Sequence, residues 1–376
     1  MQRKSLTALA VVSFFAFGCA PKVDDSVIRI GEYDALTGDI ATFGQTTHEG
    51  IQLAVEEINQ AGGIKGKPIK LFTEDDQGQP DQAALVVEKL ITRDQVQAII
   101  GEVASSNSLA AAPIAQRYKI PMVSPSSTNP KVTQQGDYIF RVCFIDPFQG
   151  KVAAKFAYGS LHARRAAILR DQKSDYSLGL ADVFTKEFTA AGGAIVDDKS
   201  YSAGDVDFKA QLAGLRVAKP DVIYVPGYYN EVGLIAKQAR SLGLKQPLLG
   251  GDGWESPELY KIGGTALDGC YFSNHCSPDS TDPRVKGFVA RYQARWHHQP
   301  GALAMLGYDA VGVVAAAMAK APDLSGPSLR DALAATKDFP GVTGDISMDL
   351  NRDAVKSAVI LKIQGGQAHY LETVKP

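Results

Sequence analysis

The stretch Ala98-Ile99-Ile100-Gly101-Glu102-Val103-Ala104-Ser105-Ser106-Asn107-Ser108 decides the architecture. A short apolar run ends at a glycine, and serines and an asparagine open the next segment. A run of this length without alternation reads as a strand buried on both faces. The spacing over 106–118 reads as a helix, and Pro121-Met122-Val123-Ser124 as the next buried strand. Upstream, Val27-Ile28-Arg29-Ile30-Gly31 and Ile69-Lys70-Leu71-Phe72 are strands. Between them a helix over 46–62 gathers Ile51, Leu53-Ala54-Val55 and Ile58 on one side and ends at Gly62-Gly63. A helix over 82–93 follows. This strand–helix rhythm predicts a parallel sheet with helices on both faces.

Downstream, the rhythm restarts after Phe148. Helices are expected over 149–159, 178–191 and 231–242. Strands are expected at Arg165-Ala166-Ala167-Ile168-Leu169, Ala194-Ile195-Val196, Val222-Ile223-Tyr224-Val225 and Pro247-Leu248-Leu249-Gly250. The expected architecture is α/β: two doubly wound parallel-sheet lobes with a seam near Asp146-Pro147. Helices over 284–296 and 307–320 and a strand Ala358-Val359-Ile360-Leu361-Lys362-Ile363 come too late to start a third domain. The economical reading sends the chain back to complete both lobes. Several crossings then form a multi-strand hinge beside a cleft.

The N-terminus has a separate meaning. Met1-Gln2-Arg3-Lys4 is basic, the run from Leu6 to Phe17 is mainly apolar, and Gly18-Cys19 follows. A basic start, a short apolar run and small residues at the cut describe a secretory signal over 1–19. It is shorter than the roughly 20 residues needed to span a bilayer. Gly18-Cys19 resembles a bacterial lipobox, which would make Cys19 a lipidated N-terminus. Ala16-Phe17 departs from that pattern, so ordinary cleavage is the alternative. The expected location is periplasmic, with any membrane attachment through a lipid at Cys19. The remaining length suits two domains of ~150–180 residues. Of 376 residues, 45% are hydrophobic and 21% charged, values of a globular chain, and a net charge of -2 speaks against a nucleic-acid partner.

Catalytic signatures are weak. Phosphate-loop, dinucleotide and nucleophile-elbow patterns are missing, so no cofactor and no enzyme activity are expected. His48-Glu49 lacks a second histidine at zinc-protease spacing, and His297-His298 reads as a solvated pair. His275 and Cys276 could bind a metal only with ligands from elsewhere, so no metal is expected. Asp75-Asp76 and Asp197-Asp198 read as loop carboxylates.

Small-molecule binding has better support. Ser105-Ser106-Asn107-Ser108 offers more polar groups than one helix cap requires. Ser124-Pro125-Ser126-Ser127-Thr128-Asn129-Pro130 follows the next strand, and both turns lie at carboxyl ends of strands, where open α/β sheets bind ligands. Across the seam, equivalent positions hold Tyr176, Gly227-Tyr228-Tyr229-Asn230 and Gly250-Gly251-Asp252-Gly253-Trp254. Hydroxyls and N–H groups on one lobe suit a carboxylate. Asp252 among aromatics suits an ammonium. Together they describe a site for a free α-amino acid, although Asp252 alone would pass for a turn residue.

At this point the chain resembles the periplasmic substrate-binding proteins of branched-chain amino-acid ABC transporters, the leucine/isoleucine/valine-binding family with the type I periplasmic-binding-protein fold. The resemblance spans the mature chain. It rests on the shared order of Ala35-Leu36-Thr37-Gly38, Ile58-Asn59-Gln60-Ala61-Gly62-Gly63-Ile64, Ser124 to Pro130, Asp146-Pro147-Phe148-Gln149-Gly150, Gly227 to Glu231 and Arg240-Ser241-Leu242-Gly243.

The resemblance implies that Ser105 and Thr128 hold the ligand's carboxylate or amine, and that Val103, Ala104 and Ser126 contribute backbone groups. It implies that Tyr176 and Tyr228 contact the ligand from the second lobe, and that Asp252 pairs with the ammonium where known members have Glu. Phe43 and Trp254 are expected to flank the ligand side chain. The family's frequent disulfide is lost to Gln77 and Ala104. Cys143 and Cys270 flank the expected hinge crossings, which leaves a pair of Cys143 with Cys270 or Cys276 as an open alternative to free thiols.

The resemblance further implies lobes of 27–146 plus 274–350 and 147–273 plus 351–376. It implies a monomer that delivers a branched-chain or other hydrophobic or small amino acid to membrane permease subunits. The alternatives are a sensor of the same fold, or a carrier of an aromatic acid, amide or other solute.

Overall fold

The computed structural model describes residues 25–376. The signal segment and the lipidation expected at Cys19 lie outside the described residues.

Strands Ile28–Asp34, Ile69–Asp75, Ala98–Ile100, Met122–Ser124 and Ile139–Arg141 form one parallel sheet. In chain order their spatial sequence is 2-1-3-4-5. Arg165–Asp171, Ala194–Tyr201, Val222–Tyr224, Leu248–Gly250 and Tyr271–Asn274 repeat that order, again in parallel. The central strands are short and buried on both faces, as in Ala98–Ile100 and Leu248–Gly250. This is why they read as continuous apolar runs.

The second sheet is not purely parallel. Strands Ala358–Gln364 and Gln367–Val374 extend it in antiparallel pairing. Gly365-Gly366 joins them with φ of 62° and 75°. A two-residue hairpin of the type I′ kind needs positive φ at both positions, and so short a loop cannot connect parallel neighbours. The Gly365-Gly366 doublet is itself the local signal for this hairpin.

Helix Ala302–Lys320 is long and apolar enough to cross a membrane by composition, but 78% of its apolar window is buried inside the protein. It packs along Ala41–Gln60 and serves as a core helix. Both helices begin about five residues before the boundary read from periodicity. Helix Lys209–Ala218, which buries only Leu212 and Leu215, escaped that reading because so narrow an apolar stripe gives little periodic signal. Asp197 and Asp198 lie within strand Ala194–Tyr201, and Asp76 is buried, so loop solvation describes neither pair.

Among the described residues, three connections run between elements of the first sheet's layer and the second: residues 142–145, 275–282 and 347–357. Cys143, Cys270 and Cys276 are free and buried. The Cys143 thiol donates to the Ser127 carbonyl at 3.5 Å, while Arg240 donates to Cys270 Sγ at 3.4 Å. The Cys276 thiol donates to the Ser277 carbonyl at 3.7 Å, and with all three thiols free neither pairing of Cys143 is formed.

Candidate functional site

In a 2-1-3-4-5 sheet the winding reverses between the first and third strands, and the crevice opens at their carboxyl ends. In the first lobe Phe43 follows the first strand, Val103 and Ser105 follow the third, and Ser126 and Thr128 follow the fourth. In the second lobe Tyr176, Tyr228 and Asp252 follow the corresponding strands. These eight residues, with Gly253 and Leu303, line one narrow cavity between the lobes.

The first-lobe wall is rich in hydrogen-bonding groups. Ser105 opens helix Ser105–Tyr118, so its N–H belongs to the turn a helix leaves unpaired. Its hydroxyl accepts from the Asn129 N–H at 3.3 Å. The Ser126 hydroxyl is buried without a protein partner. The Thr128 hydroxyl lies near the Asp146 carboxyl but not in hydrogen-bond geometry with it. Burial pushes Asp146 up to about 8, which keeps most of this carboxyl neutral beside the cavity at pH 7. Ala104 stands outside the lining. Its N–H donates to the buried Glu102 carboxylate and is not free for a ligand.

The second-lobe wall is aromatic. Tyr176 and Tyr228 stack with centroids 5.4 Å apart, and Phe43 meets Tyr228 edge-on at 5.4 Å. Burial raises both phenols well above their usual range, so both stay protonated and can donate. The Tyr176 oxygen accepts from the Gly253 N–H at 3.1 Å. A side chain at position 253 would meet the Gly227 carbonyl at 2.8 Å and the Tyr228 ring at 2.9 Å. Glycine is therefore required where the turn passes under the rings. Asp252 accepts from Gln149 Nε2 at 2.8 Å and faces His275 Nε2 at 2.9 Å.

Contacts across the mouth hold the lobes together. The Ser106 hydroxyl donates to Asp175 Oδ2 and accepts from the Asp175 N–H, each at 3.1 Å. Asn129 Nδ2 donates to the Asp175 carbonyl at 2.8 Å, and the Tyr229 hydroxyl donates to the Asp39 carbonyl at 3.0 Å. Ser106→Ala removes two of these bonds without touching the cavity. At about 1 kcal/mol each, it should weaken ligand binding by about five- to thirtyfold and leave ligand preference unchanged. Titration calorimetry on the variant checks this, and unchanged affinity would mean that these contacts contribute nothing to closure.

A family model described as periplasmic binding protein matches residues 27–367. The chain belongs to the periplasmic binding protein family. The leucine-specific-binding protein of Salmonella typhimurium is 33% identical over 321 residues, covering 85% of this chain and 86% of that protein. The leucine-binding protein LivK of Thermotoga maritima is 40% identical with a TM-score of 0.89, covering 93% of this chain and 99% of that one. LivJ of Streptococcus pneumoniae, solved in complex with isoleucine, is 36% identical with a TM-score of 0.88, covering 93% and 100%.

In this periplasmic binding protein, eight of the ten residues singled out from the sequence meet at one cavity, and two do not. Trp254 corrects the expectation of a ligand-flanking aromatic. Its side chain is fully buried beneath the turn, and its indole N–H donates to the Val225 carbonyl at 3.0 Å. The ring lies across Gly250, where a Cβ would stand 2.1 Å from it. Leu303 joins the lining from helix Ala302–Lys320, far along the chain from the other lining residues, and no local pattern marks it. Gln149 and His275 were not read as partners of Asp252. Among the described residues, no group of three His, Cys, Asp or Glu side chains could hold a metal ion.

Proposed function

We propose that this chain captures a free α-amino acid, branched-chain or otherwise hydrophobic or small, by closing two lobes around it. It then delivers the ligand to the permease of an ABC transporter. The lobes are 27–146 plus 274–350 and 147–273 plus 351–376. The observation that carries the reading is the polarity of the cavity: Ser105, Ser126 and Thr128 on one wall, Asp252 and two tyrosines on the other. A zwitterion buried there meets donors at its carboxylate and an acceptor at its ammonium. A neutral or singly charged analogue would leave one wall unpaired, which is costly in a desolvated site. Isoleucine in the related LivJ structure supports the ligand class. The chain acts by binding and release, outside the cytoplasm, and a lipid on Cys19 would tether it.

The test is a thermal-shift panel of refolded, ligand-stripped protein against amino acids and their deaminated analogues. A ligand at ~100 times its Kd stabilises by roughly 2.7 kcal/mol, enough for a clear rise in Tm. Shifts with leucine-like amino acids and not with their deaminated analogues are expected. Shifts only with acids lacking the amine would replace the amino acid by an aromatic or other carboxylate solute. Product formation from a bound ligand would overturn the binding-protein reading.

A further inference from the structure

Asp252 is held by two residues, one on a hinge crossing and one in the helix that follows another. His275 directly follows strand Tyr271–Asn274, on the second crossing between lobes, and is buried. Its ring stacks on Phe144 of the first crossing, with centroids 3.8 Å apart and planes 26° from parallel. Its Nε2 lies 2.9 Å from Asp252 Oδ2. A carboxylate only accepts, so Nε2 carries the hydrogen. Nδ1 is buried and has no partner. Burial lowers the affinity of the imidazole for a second proton, which keeps it neutral in this tautomer. Gln149, in helix Asp146–Lys155 beyond the first crossing, donates to the other oxygen at 2.8 Å. Two donors leave about half the acceptor capacity of the carboxylate open toward the cavity. The next residues extend the chain of contacts. Asn274 Nδ2 donates to Glu255 Oε2 at 2.6 Å, and Glu255 Oε1 accepts from the Ala302 N–H at 2.9 Å, one residue before the cavity-lining Leu303.

We propose that His275, clamped by Phe144 at the hinge, is a positioning residue that orients Asp252 for the ligand's ammonium and so ties amine recognition to the arrangement of the crossings. The proposal rests on the amino-acid reading above. An aspartate is one methylene shorter than a glutamate, so it has less reach with which to find an amine for itself. Fixing its plane from behind removes the rotamer search that would otherwise accompany binding. The hydrogen bond is made from a crossing residue, so a shift of the second crossing relative to strand Leu248–Gly250 would turn the carboxylate.

The experiment compares L-leucine with 2-hydroxy-4-methylpentanoate, which has the same side chain and carboxylate but no positive charge. Both are titrated into ligand-stripped wild type, His275→Phe and His275→Gln. Phenylalanine keeps the stack on Phe144 and removes the donor. Glutamine places an Nε2 donor at a similar reach. In His275→Phe the Kd for leucine should rise about ten- to a hundredfold, the usual range for a hydrogen bond to a charged group. The hydroxy acid should weaken less than about threefold, and His275→Gln should recover most of the loss for leucine. A parallel loss for both ligands, or no recovery in His275→Gln, would assign His275 a purely structural role and overturn the proposal. Unchanged leucine binding in His275→Phe would do the same. If wild type binds no α-amino acid at all, the functional reading fails and this proposal with it. That result is distinguished from the others by the wild-type titration alone.

Discussion

Asp252→Ala should raise the Kd for a bound amino acid by about two to three powers of ten, the largest effect of any single change at this site. Removing one member of a buried, hydrogen-bonded charge pair costs about 2–5 kcal/mol, because the other charge is left without a counterpart. Here the ligand ammonium would face the Tyr176 and Tyr228 rings alone. The change also strands Gln149 Nε2 and the His275 N–H, which both turn toward Asp252. Asp252→Asn keeps the shape and removes the charge, so its loss should be smaller but still weighted toward amines. Calorimetry with leucine and its hydroxy analogue separates charge from shape. Equal losses for both ligands would mean that Asp252 only supports the turn.

Trp254→Ala should act on the fold, with a loss of about 3–5 kcal/mol of unfolding free energy, as for large aromatics removed from a core. The indole is fully buried, lies 5.9 Å from the Phe272 ring by centroid and fills the space over Gly250. The Val225 carbonyl would also lose its donor. Trp254→Phe should recover packing but not that hydrogen bond, leaving a deficit of about 1–3 kcal/mol. Urea unfolding of the ligand-free variants measures both. The rank order of ligands should stay as in wild type. A changed rank order with unchanged stability would return Trp254 to the cavity wall.

The two residues stand two apart on one strand-end turn, yet one faces the candidate cavity and the other the core. Both are large or charged groups among glycines, and a sequence carries no sign of which side each takes. Gly250 decides the matter by leaving a bare backbone face on which the indole folds back. Ala104 makes the same point. Its position at the helix start was legible, but its amide belongs to Glu102, whose burial depends on distant chain segments.

What the sequence determined by itself was the alternation of strands and helices and the placement of polar turns at strand ends. These are local properties: apolar runs of a given length, glycine stops and clustered hydroxyls act over a few residues. The approximate position of the candidate cavity followed from them, because strand ends are where this architecture opens. Only the tertiary structure decided the strand order 2-1-3-4-5 in each lobe, the antiparallel edge of the second sheet and the partners of Asp252. Leu303 reaches the cavity from a helix of the last third of the chain, and His275 reaches Asp252 across 23 residues. Such contacts depend on how whole elements pack after the chain has crossed between lobes. The energy that selects them comes from burial and from matching donors to acceptors in three dimensions, and no window of neighbouring residues contains it.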